Sequence, residues 1–423
     1  MLYDVNFDIY SIVDCKQQFA VALVYFIFIC VFKWYYFGFR PLMFQGFFIC
    51  AGRSFVMSFN SEMDREYMLR AIELAKKGKG FTNPNPLVGA VIVKDGRIIG
   101  EGYHAKYGEL HAERNAIASL KESAEGAVIY VTLEPCCHYG KTPPCTEAII
   151  ENKIAKVVIG SRDPNPKVSG KGVKALEAAG IEVVCDYMRE ECDRLNPVFF
   201  YYIQTGLPYV TLKYAMTADG KTATKTGASK WITGESAREY VQILRSENTG
   251  IMAGIGTVLA DDPMLNVRIE GKRNPVRIIC DSALRIPVES KLCKSAGEYP
   301  LVVAYTEADD DKLKKLTDMG VTLIKVNKAK DGRGVNLNEL MTRLGQMKID
   351  SILVEGGATL NESALKAGIV KEIKAFIAPK IFGGSALTAV EGCGVCEPGE
   401  AYSFKVNDVR MIGEDVLISM GGA

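Results

Sequence analysis

Histidine is scarce in this chain, with three in 423 residues, and all three (His104, His111 and His138) fall within one stretch of 35 residues. Any metal or acid/base chemistry outside that stretch must therefore do without imidazole. Net charge is nearly absent too: 51 basic residues against 50 acidic ones leave +1, which argues against a broad basic face for nucleic acid. No apolar run reaches the roughly 18 residues of a bilayer span. The longest, Phe19–Phe32, has 14. Internal repeats and low-complexity tracts are missing as well, which excludes solenoids and arrays. Twelve cysteines are scattered too thinly for a disulfide scaffold, so the chain reads as a protein of a reducing compartment, the cytoplasm.

What remains is a composition of 48% hydrophobic and 24% charged residues, that of a globular protein with more than one core. Residues 1–62 stand apart. The first 56 hold 17 aromatic but only seven charged residues, and Asp4, Asp8 and Asp14 occupy the place of a signal peptide's basic region. The segment reads as an upstream extension, with translation starting at Met57 or Met63. The other reading is a membrane anchor within 19–50, for which Lys33, Arg40 and Arg53 would keep the remainder cytoplasmic.

From Asp64 the pattern alternates. Helical spacing over Asp64–Lys77 gives way to a hairpin, Leu87–Val93 and Arg97–Gly102, around the Asp95-Gly96 turn. Helices over His111–Leu120, Pro143–Asn152 and Gly172–Ala179 then separate strands at Val128–Leu133, Val157–Gly160 and Ile181–Cys185. This is an α/β sandwich over 63–206 with helices on both faces. A second α/β domain follows over 207–423, its strands starting at Tyr209, Gly250, Val276, Leu301, Thr322, Ser351 and Glu372. No Gly/Ser linker joins the two, so they are expected to pack together.

His111-Ala-Glu113 and Glu134-Pro-Cys-Cys-His-Tyr-Gly-Lys-Thr-Pro-Pro-Cys145 carry the chemistry of the first domain. Catalytic zinc takes three protein ligands and a water, and one imidazole with two thiolates meets that need. His111, Cys136 and Cys145 are the expected ligands. Glu113 is the expected acid/base, as in the His-x-Glu…Pro-Cys signature of zinc deaminases. The usual second cysteine, two residues further on, is missing, and Cys145 stands in for it. Cys137 competes with Cys136 in principle but is expected to be a neighbour, His138 is expected to line the pocket, and His104 to be structural or peripheral. Asn83-Pro-Asn-Pro86 is either a plain tight turn or a loop whose amides read a ring edge. Cys393-Gly-Val-Cys396 has no companion ligand nearby and reads as ordinary thiols.

The second domain lacks a Gly-x-Gly-x-x-Gly after its first strand, which disfavours a Rossmann dinucleotide site. Gly356-Gly357 could bring backbone amides to a phosphate, or be a simple β-to-α turn.

Pro84-Asn-Pro-Leu-Val-Gly89, the two segments above, Asp163-Pro-Asn-Pro166, Leu212–Gly220, Trp231-Ile-Thr233, Thr257–Pro263 and Val354-Glu-Gly-Gly357 together resemble one family, over residues 63–420. It is the family of bifunctional deaminase–reductases of riboflavin biosynthesis. The resemblance implies a cytidine-deaminase-like α/β/α sandwich followed by a dihydrofolate-reductase-like α/β domain. It implies zinc-dependent hydrolytic deamination of 2,5-diamino-6-(5-phosphoribosylamino)pyrimidin-4-one, then NADPH reduction of ribosyl to ribityl. By the same resemblance Ala215, Trp231, Thr257, Asp261, Ser282 and the loop Gly357, Ala358, Thr359, Leu360, Asn361, Glu362 and Ser363 would contact NADPH. Ser229, Arg245, Leu265, Arg268 and Glu355 would hold the substrate, the two arginines suiting its phosphate. Lys213 and Asp261 are the polar groups to examine for proton supply. The implied partner is this small-molecule phosphate, not nucleic acid, and a homo-oligomer is compatible with the chain. Two other classes stay open on the zinc motif alone: a nucleic-acid-editing deaminase, and a closed structural zinc module fused to a nucleotide sensor.

Overall fold

The computed structural model describes residues 62–422 apart from Lys141, Pro166 and Lys167. The readings made for the N-terminal segment lie outside the described residues. Within the described residues no helix is long and apolar enough to cross a membrane.

The N-terminal lobe is built on a five-stranded sheet of order β2-β1-β3-β4-β5. Its strands are β1 (Gly89–Lys94), β2 (Arg97–Tyr103), β3 (Val128–Leu133), β4 (Lys156–Ser161) and β5 (Glu182–Val184). Asp95 and Gly96, both at positive φ, turn β1 into β2, because the twist of such a tight hairpin needs left-handed residues. Side chains alternate across the sheet as the strand period of two requires. Ala90, Ile92, Ile129 and Val131 face one way, against α2 (Ala112–Ala118), α3 (Cys145–Glu151) and α4 (Lys171–Ala178). Val91, Val93, Tyr130 and Val158 face the other, against the helix α1 over 62–76 and α5 (Arg189–Asp193). Each fully buried Ile, Leu or Val contributes about 1.5–3 kcal/mol relative to exposure. Gly102 lets α2 press onto β2, since a Cβ there would lie 2.2 Å from the Ala116 nitrogen. That close approach sets the depth of His111 and Glu113.

The second lobe is a nine-stranded sheet of order β10-β9-β8-β7-β11-β6-β12-β14-β13. Seven strands are parallel: β6 (Tyr209–Thr217), β7 (Gly250–Gly254), β8 (Val276–Cys280), β9 (Leu301–Tyr305), β10 (Thr322–Lys325), β11 (Ser351–Val354) and β12 (Val370–Ala378). An antiparallel ribbon, β13 (Lys405–Ile412) and β14 (Asp415–Gly421), extends the sheet beyond β12. Helices cover both faces, as parallel strands require. One face meets α11 (Leu337–Gln346) and α12 (Ala358–Lys366). The other meets α7 (Glu235–Glu247), α8 (Ile255–Asp261), α9 (Lys291–Lys294) and α10 (Asp310–Asp318).

The join between lobes is a helix rather than a loop. α6 (Pro197–Thr205) begins with a proline and ends at Gly206 in the left-handed region. Tyr202 Oη donates to the Gly345 carbonyl at 3.0 Å, and the Lys79 ammonium lies 3.0 Å from a Glu247 oxygen. The lobes therefore pack directly.

Candidate functional site

α2 and α3 meet end to end at the first site. His111 caps α2 from an extended conformation, and Cys145 opens α3 behind Pro144. The Pro135-Cys136 segment passes between them. There the Cys145 N–H donates to Cys136 Sγ at 3.4 Å, and the Thr146 N–H donates to the Cys136 carbonyl at 3.2 Å. A helix N-terminus favours negative charge, and here it favours a thiolate.

His111 Nδ1 lies 3.4 Å from Cys136 Sγ and 3.4 Å from Cys145 Sγ, and the three donor atoms all fall within 4.8 Å of one another. Zinc bonds of about 2.0–2.3 Å in a tetrahedron place donor atoms roughly 3.4–3.8 Å apart, so this donor set fits zinc. Among the described residues it is the only His/Cys/Asp/Glu group with such spacing, and Cys137 is not part of it. The thiols share a proton unequally. The hydrogen bond from Cys145 draws the Cys136 thiol down to about 4, against burial, and His111 adds to it. The same hydrogen bond and burial push Cys145 up. The bond to Cys136 likewise raises His111.

Glu113 stands in the first turn of α2, 3% exposed, with its carboxyl raised by burial and by the neighbouring Cys136. A buried carboxyl raised above its ordinary value binds a proton more readily than a free one, which suits a general acid/base. It shares with His111 and Cys136 a cavity of about 260 Å³. The cavity is also lined by Asn85, His104, Glu134, His138, Asp163, Asn165 and Phe199. His104 is buried and fixed, Nδ1 against the Leu110 carbonyl and Nε2 beside the Asn85 amide, and burial lowers it. His138 lines the cavity with a buried Nδ1 that has no partner.

Two residues here escaped sequence reasoning. Glu134, 4% exposed, accepts the N–H groups of Gly170, Gly172 and Val173 at 3.1, 3.2 and 3.4 Å, anchoring the cysteine loop to the start of α4. Asp163 is raised to about 6 by burial, although it accepts the Asn165 N–H. A signal existed: Asp163-Pro-Asn-Pro166 echoes Asn83-Pro-Asn-Pro86, and both turns feed an asparagine into the same cavity.

The second lobe gathers three charges under α7. Glu355, just past β11, takes Arg245 Nε and Nη2 at 2.6 and 2.9 Å, and Lys213 Nζ lies 3.8 Å away. Burial alone would raise the Glu355 carboxyl, but Arg245 and Lys213 hold it at about 2. Burial lowers the Lys213 ammonium, and Glu355 only partly opposes it. The remaining Arg245 nitrogen, Nη1, donates to the Asn266 carbonyl at 2.9 Å. Arg245 is thus committed to the protein, and the cluster as a whole carries a net positive charge.

Arg268 is exposed, with its N–H held by Gln242 Oε1 at 3.0 Å. Leu265 turns its side chain into the core at φ +51, leaving only its backbone to meet a ligand. Ser229 and Asp261 are exposed, while Ala215 and Ser282 are half-buried. Trp231 is 62% exposed, with the Arg238 guanidinium 4.5 Å from its ring centre.

Around Gly356-Gly357 the turn after β11 meets the turn after β7. Gly254 N–H donates to the Gly356 carbonyl at 2.9 Å, and a Cβ on Gly357 would touch Thr257 Oγ1 at 3.4 Å. Gly356 sits at φ +100, a conformation for glycine. α12 has no side-chain cap, so its first N–H groups stay available, and such an end accepts a pyrophosphate. Within this loop Gly357 and Thr359 are exposed, while Leu360 packs in the core and Asn361 Nδ2 donates to the Ala389 carbonyl.

Residues 61–161 match the model of the cytidine and deoxycytidylate deaminase zinc-binding region, and residues 208–418 match the RibD C-terminal domain. The riboflavin biosynthesis protein RibD of Actinobacillus pleuropneumoniae is 54% identical over 362 residues, spanning 85% of this chain and 96% of that one. The chain belongs to the RibD family. RibD of Escherichia coli K12 is 40% identical over 85% of this chain and 100% of its own. Among solved structures, Acinetobacter baumannii RibD superposes with a TM-score of 0.78 at 39% identity, covering 86% and 99% of the two chains. The Thermotoga maritima diaminohydroxyphosphoribosylaminopyrimidine deaminase/5-amino-6-(5-phosphoribosylamino)uracil reductase gives 0.76 at 38%, covering 86% and 100%. The two-lobe α/β architecture expected from the resemblance is the one that RibD proteins share.

Proposed function

We propose that this chain is a bifunctional riboflavin biosynthesis enzyme whose two lobes act in turn on one ribosylated pyrimidine phosphate. The observation that carries the reading is the buried Glu113 carboxyl in one cavity with His111 and Cys136, whose donor atoms cluster with that of Cys145.

In the N-terminal lobe His111, Cys136 and Cys145 hold zinc, which when bound supplies an acidified water at neutral pH. Glu113 stands where it would accept a proton from the attacking water and deliver it to the amine leaving the 2-position of 2,5-diamino-6-(5-phosphoribosylamino)pyrimidin-4-one. Asn85, Asp163 and Asn165 offer donors and acceptors to the ring edge. Glu134 keeps the cysteine loop in place. Ammonia and 5-amino-6-(5-phosphoribosylamino)uracil leave.

In the second lobe a bound NADPH would supply the hydride that converts ribosyl to ribityl at ribose C1. The proposed cofactor contacts are Ala215, Trp231, Thr257, Asp261, Ser282 and the 357–363 loop. Arg268 is the guanidinium left free for the substrate phosphate, with Ser229 and the Leu265 backbone beside it. Arg245 supports Glu355 and so shapes the site. Lys213, its ammonium lowered by burial, is the favoured source of the proton that the opening ring oxygen takes up. A cytoplasmic location and a homo-oligomeric state belong to the same reading.

A split assay tests it. Zinc-replete protein given the diaminopyrimidine ribotide should release ammonia without NADPH and then oxidise NADPH once it is added. Ammonia without oxidation would remove the reductase half of the proposal, and neither signal would remove all of it.

A further inference from the structure

Cys393-Gly-Val-Cys396 belongs to neither site, yet the fold sets it beside one of them. Both cysteines are exposed free thiols. The segment leading to them follows the start of α12 and is fastened to it. The Ala389 carbonyl accepts Asn361 Nδ2 at 2.7 Å, with Asn361 only 3% exposed. The Glu391 N–H donates to the Ala358 carbonyl at 3.4 Å. Gly392 lies so close to the helix that a Cβ there would be 2.7 Å from Glu362 Cγ. Ala358, Asn361 and Glu362 all belong to the loop proposed above for NADPH. Past this point the fastening ends. From Gly392 to Val395 no residue makes a hydrogen bond to any described residue, until the Cys396 N–H donates to Glu400 Oε2 at 2.9 Å. The chain makes no bend at Gly394 or Val395. A disulfide needs its Cα atoms within about 7 Å, whereas an unbent run spaces residues i and i+3 at up to roughly 10 Å. Joining the two thiols therefore has to fold the segment. Gly394, at φ +68, already suits the first central position of a tight turn.

We propose that Cys393 and Cys396 are a reversible thiol–disulfide site, and that closing it loosens the hold of the 357–363 loop on NADPH. The co-reactant is a low-molecular-weight disulfide. One cysteine thiolate attacks it, forming a mixed disulfide and expelling one thiolate. The other cysteine then displaces the remaining half. The protein gives up two electrons and two protons, and the small disulfide takes them up as two thiols. Disulfides of a reducing compartment are typically transient and sensing rather than structural, and an exposed, unfastened pair suits that use. Cys396 is held by Glu400, so Cys393 is the end that moves, and it draws Gly392 away from Glu362. Glu391 and Ala389 follow, and Asn361 and the first turn of α12 lose the contacts that place them. The inference rests on the reading of 357–363 as the NADPH loop.

The test uses the full chain loaded with zinc, which covers Cys136 and Cys145, and oxidised glutathione as the probe. Trypsin cuts after Lys380 and Lys405 with no Lys or Arg between them, so both cysteines fall in one peptide, 381–405. After oxidation that peptide should be lighter by two hydrogen atoms, and dithiothreitol should restore it. NADPH affinity, followed by fluorescence titration, should fall by about fivefold or more on oxidation and recover on reduction. The double variant Cys393→Ser, Cys396→Ser should bind NADPH as reduced wild type does and ignore the oxidant. Cys393→Ser alone should carry one glutathione on Cys396 and keep its affinity, because only ring closure moves Gly392. A wild-type peptide that stays unoxidised, or that carries only glutathione adducts, overturns the proposal. So does a closed disulfide that leaves NADPH affinity unchanged. Reduced protein that binds no NADPH at all would instead remove the nucleotide reading of the loop, and the proposal with it.

Discussion

Asn83 Nδ2 of the N-terminal lobe donates to Asp350 Oδ2, at the foot of β11 in the second lobe, at 2.8 Å. The same carboxylate, 1% exposed, accepts the hydroxyls of Thr249 and Ser351. Two residues beyond Asn83, Asn85 lines the deaminase cavity, so the turn that shapes one active site is held by the other lobe. Asp350→Ala would leave the buried Thr249 and Ser351 hydroxyls and the half-buried Asn83 amide without this acceptor, at about 1–3 kcal/mol for each that water cannot reach. Urea denaturation should show a loss of about 3 kcal/mol, and Asp350→Asn a smaller one.

Glu113→Gln should lower ammonia release at least 10²–10⁴-fold, the range for removing a positioned acid/base. Zinc content should stay at one per chain, because Glu113 is outside the donor set. NADPH oxidation should be normal when the deaminated intermediate is supplied directly. A chelator should have the same selectivity, halting ammonia release and sparing the reduction.

Glu134→Gln acts at one remove. Losing the carboxylate loosens the hold on the start of α4 and, through Pro135, the placement of Cys136. Outer groups of this kind typically govern affinity by about 10–100-fold. Competition with a chromophoric chelator should show weaker zinc binding by that order. Resupplying excess zinc should recover most of the deaminase rate, which it could not do for Glu113→Gln.

Glu355 carries an acid signature. Its folded value of about 2 lies below the ordinary 4.5, so its stabilisation is fully present above pH 4.5 and is lost as pH falls from there towards 2. Glu355→Ala should flatten the fall in stability over that window. At pH 7 it should cost about 3–5 kcal/mol, because Arg245 and Lys213 would be left as buried cations without a counter-charge.

Much of this was legible in the sequence, and the parts that were not share a cause. β3 and β9 emerge at Val128–Leu133 and Leu301–Tyr305, as apolar runs between turn signals announce them. The zinc donors were legible because cysteine, histidine and glutamate seldom cluster by accident. β13 was invisible, since a strand exposed on both faces has no alternation to detect. α6 was hidden too, because its aromatic run Val198–Ile203 packs against both lobes and lacks a polar stripe. Glu134 and Asp163 do their work through backbone N–H groups and burial, which residue type alone does not disclose. The commitment of Arg245 to Glu355, 110 residues away, required the fold itself.

The position of β14 has a consequence in time. It lies between β12 and β13 in the sheet, although it follows both in the chain. During synthesis β13 leaves the ribosome before the strand it hangs from, and it must wait, exposed, until β14 inserts. The five-stranded lobe faces no such delay, because all its strands precede residue 185. At roughly 5–20 residues per second it has tens of seconds to fold before β14 appears. One half of the molecule can be finished, and can offer Asn83 as a docking point, before the other half has a closed sheet.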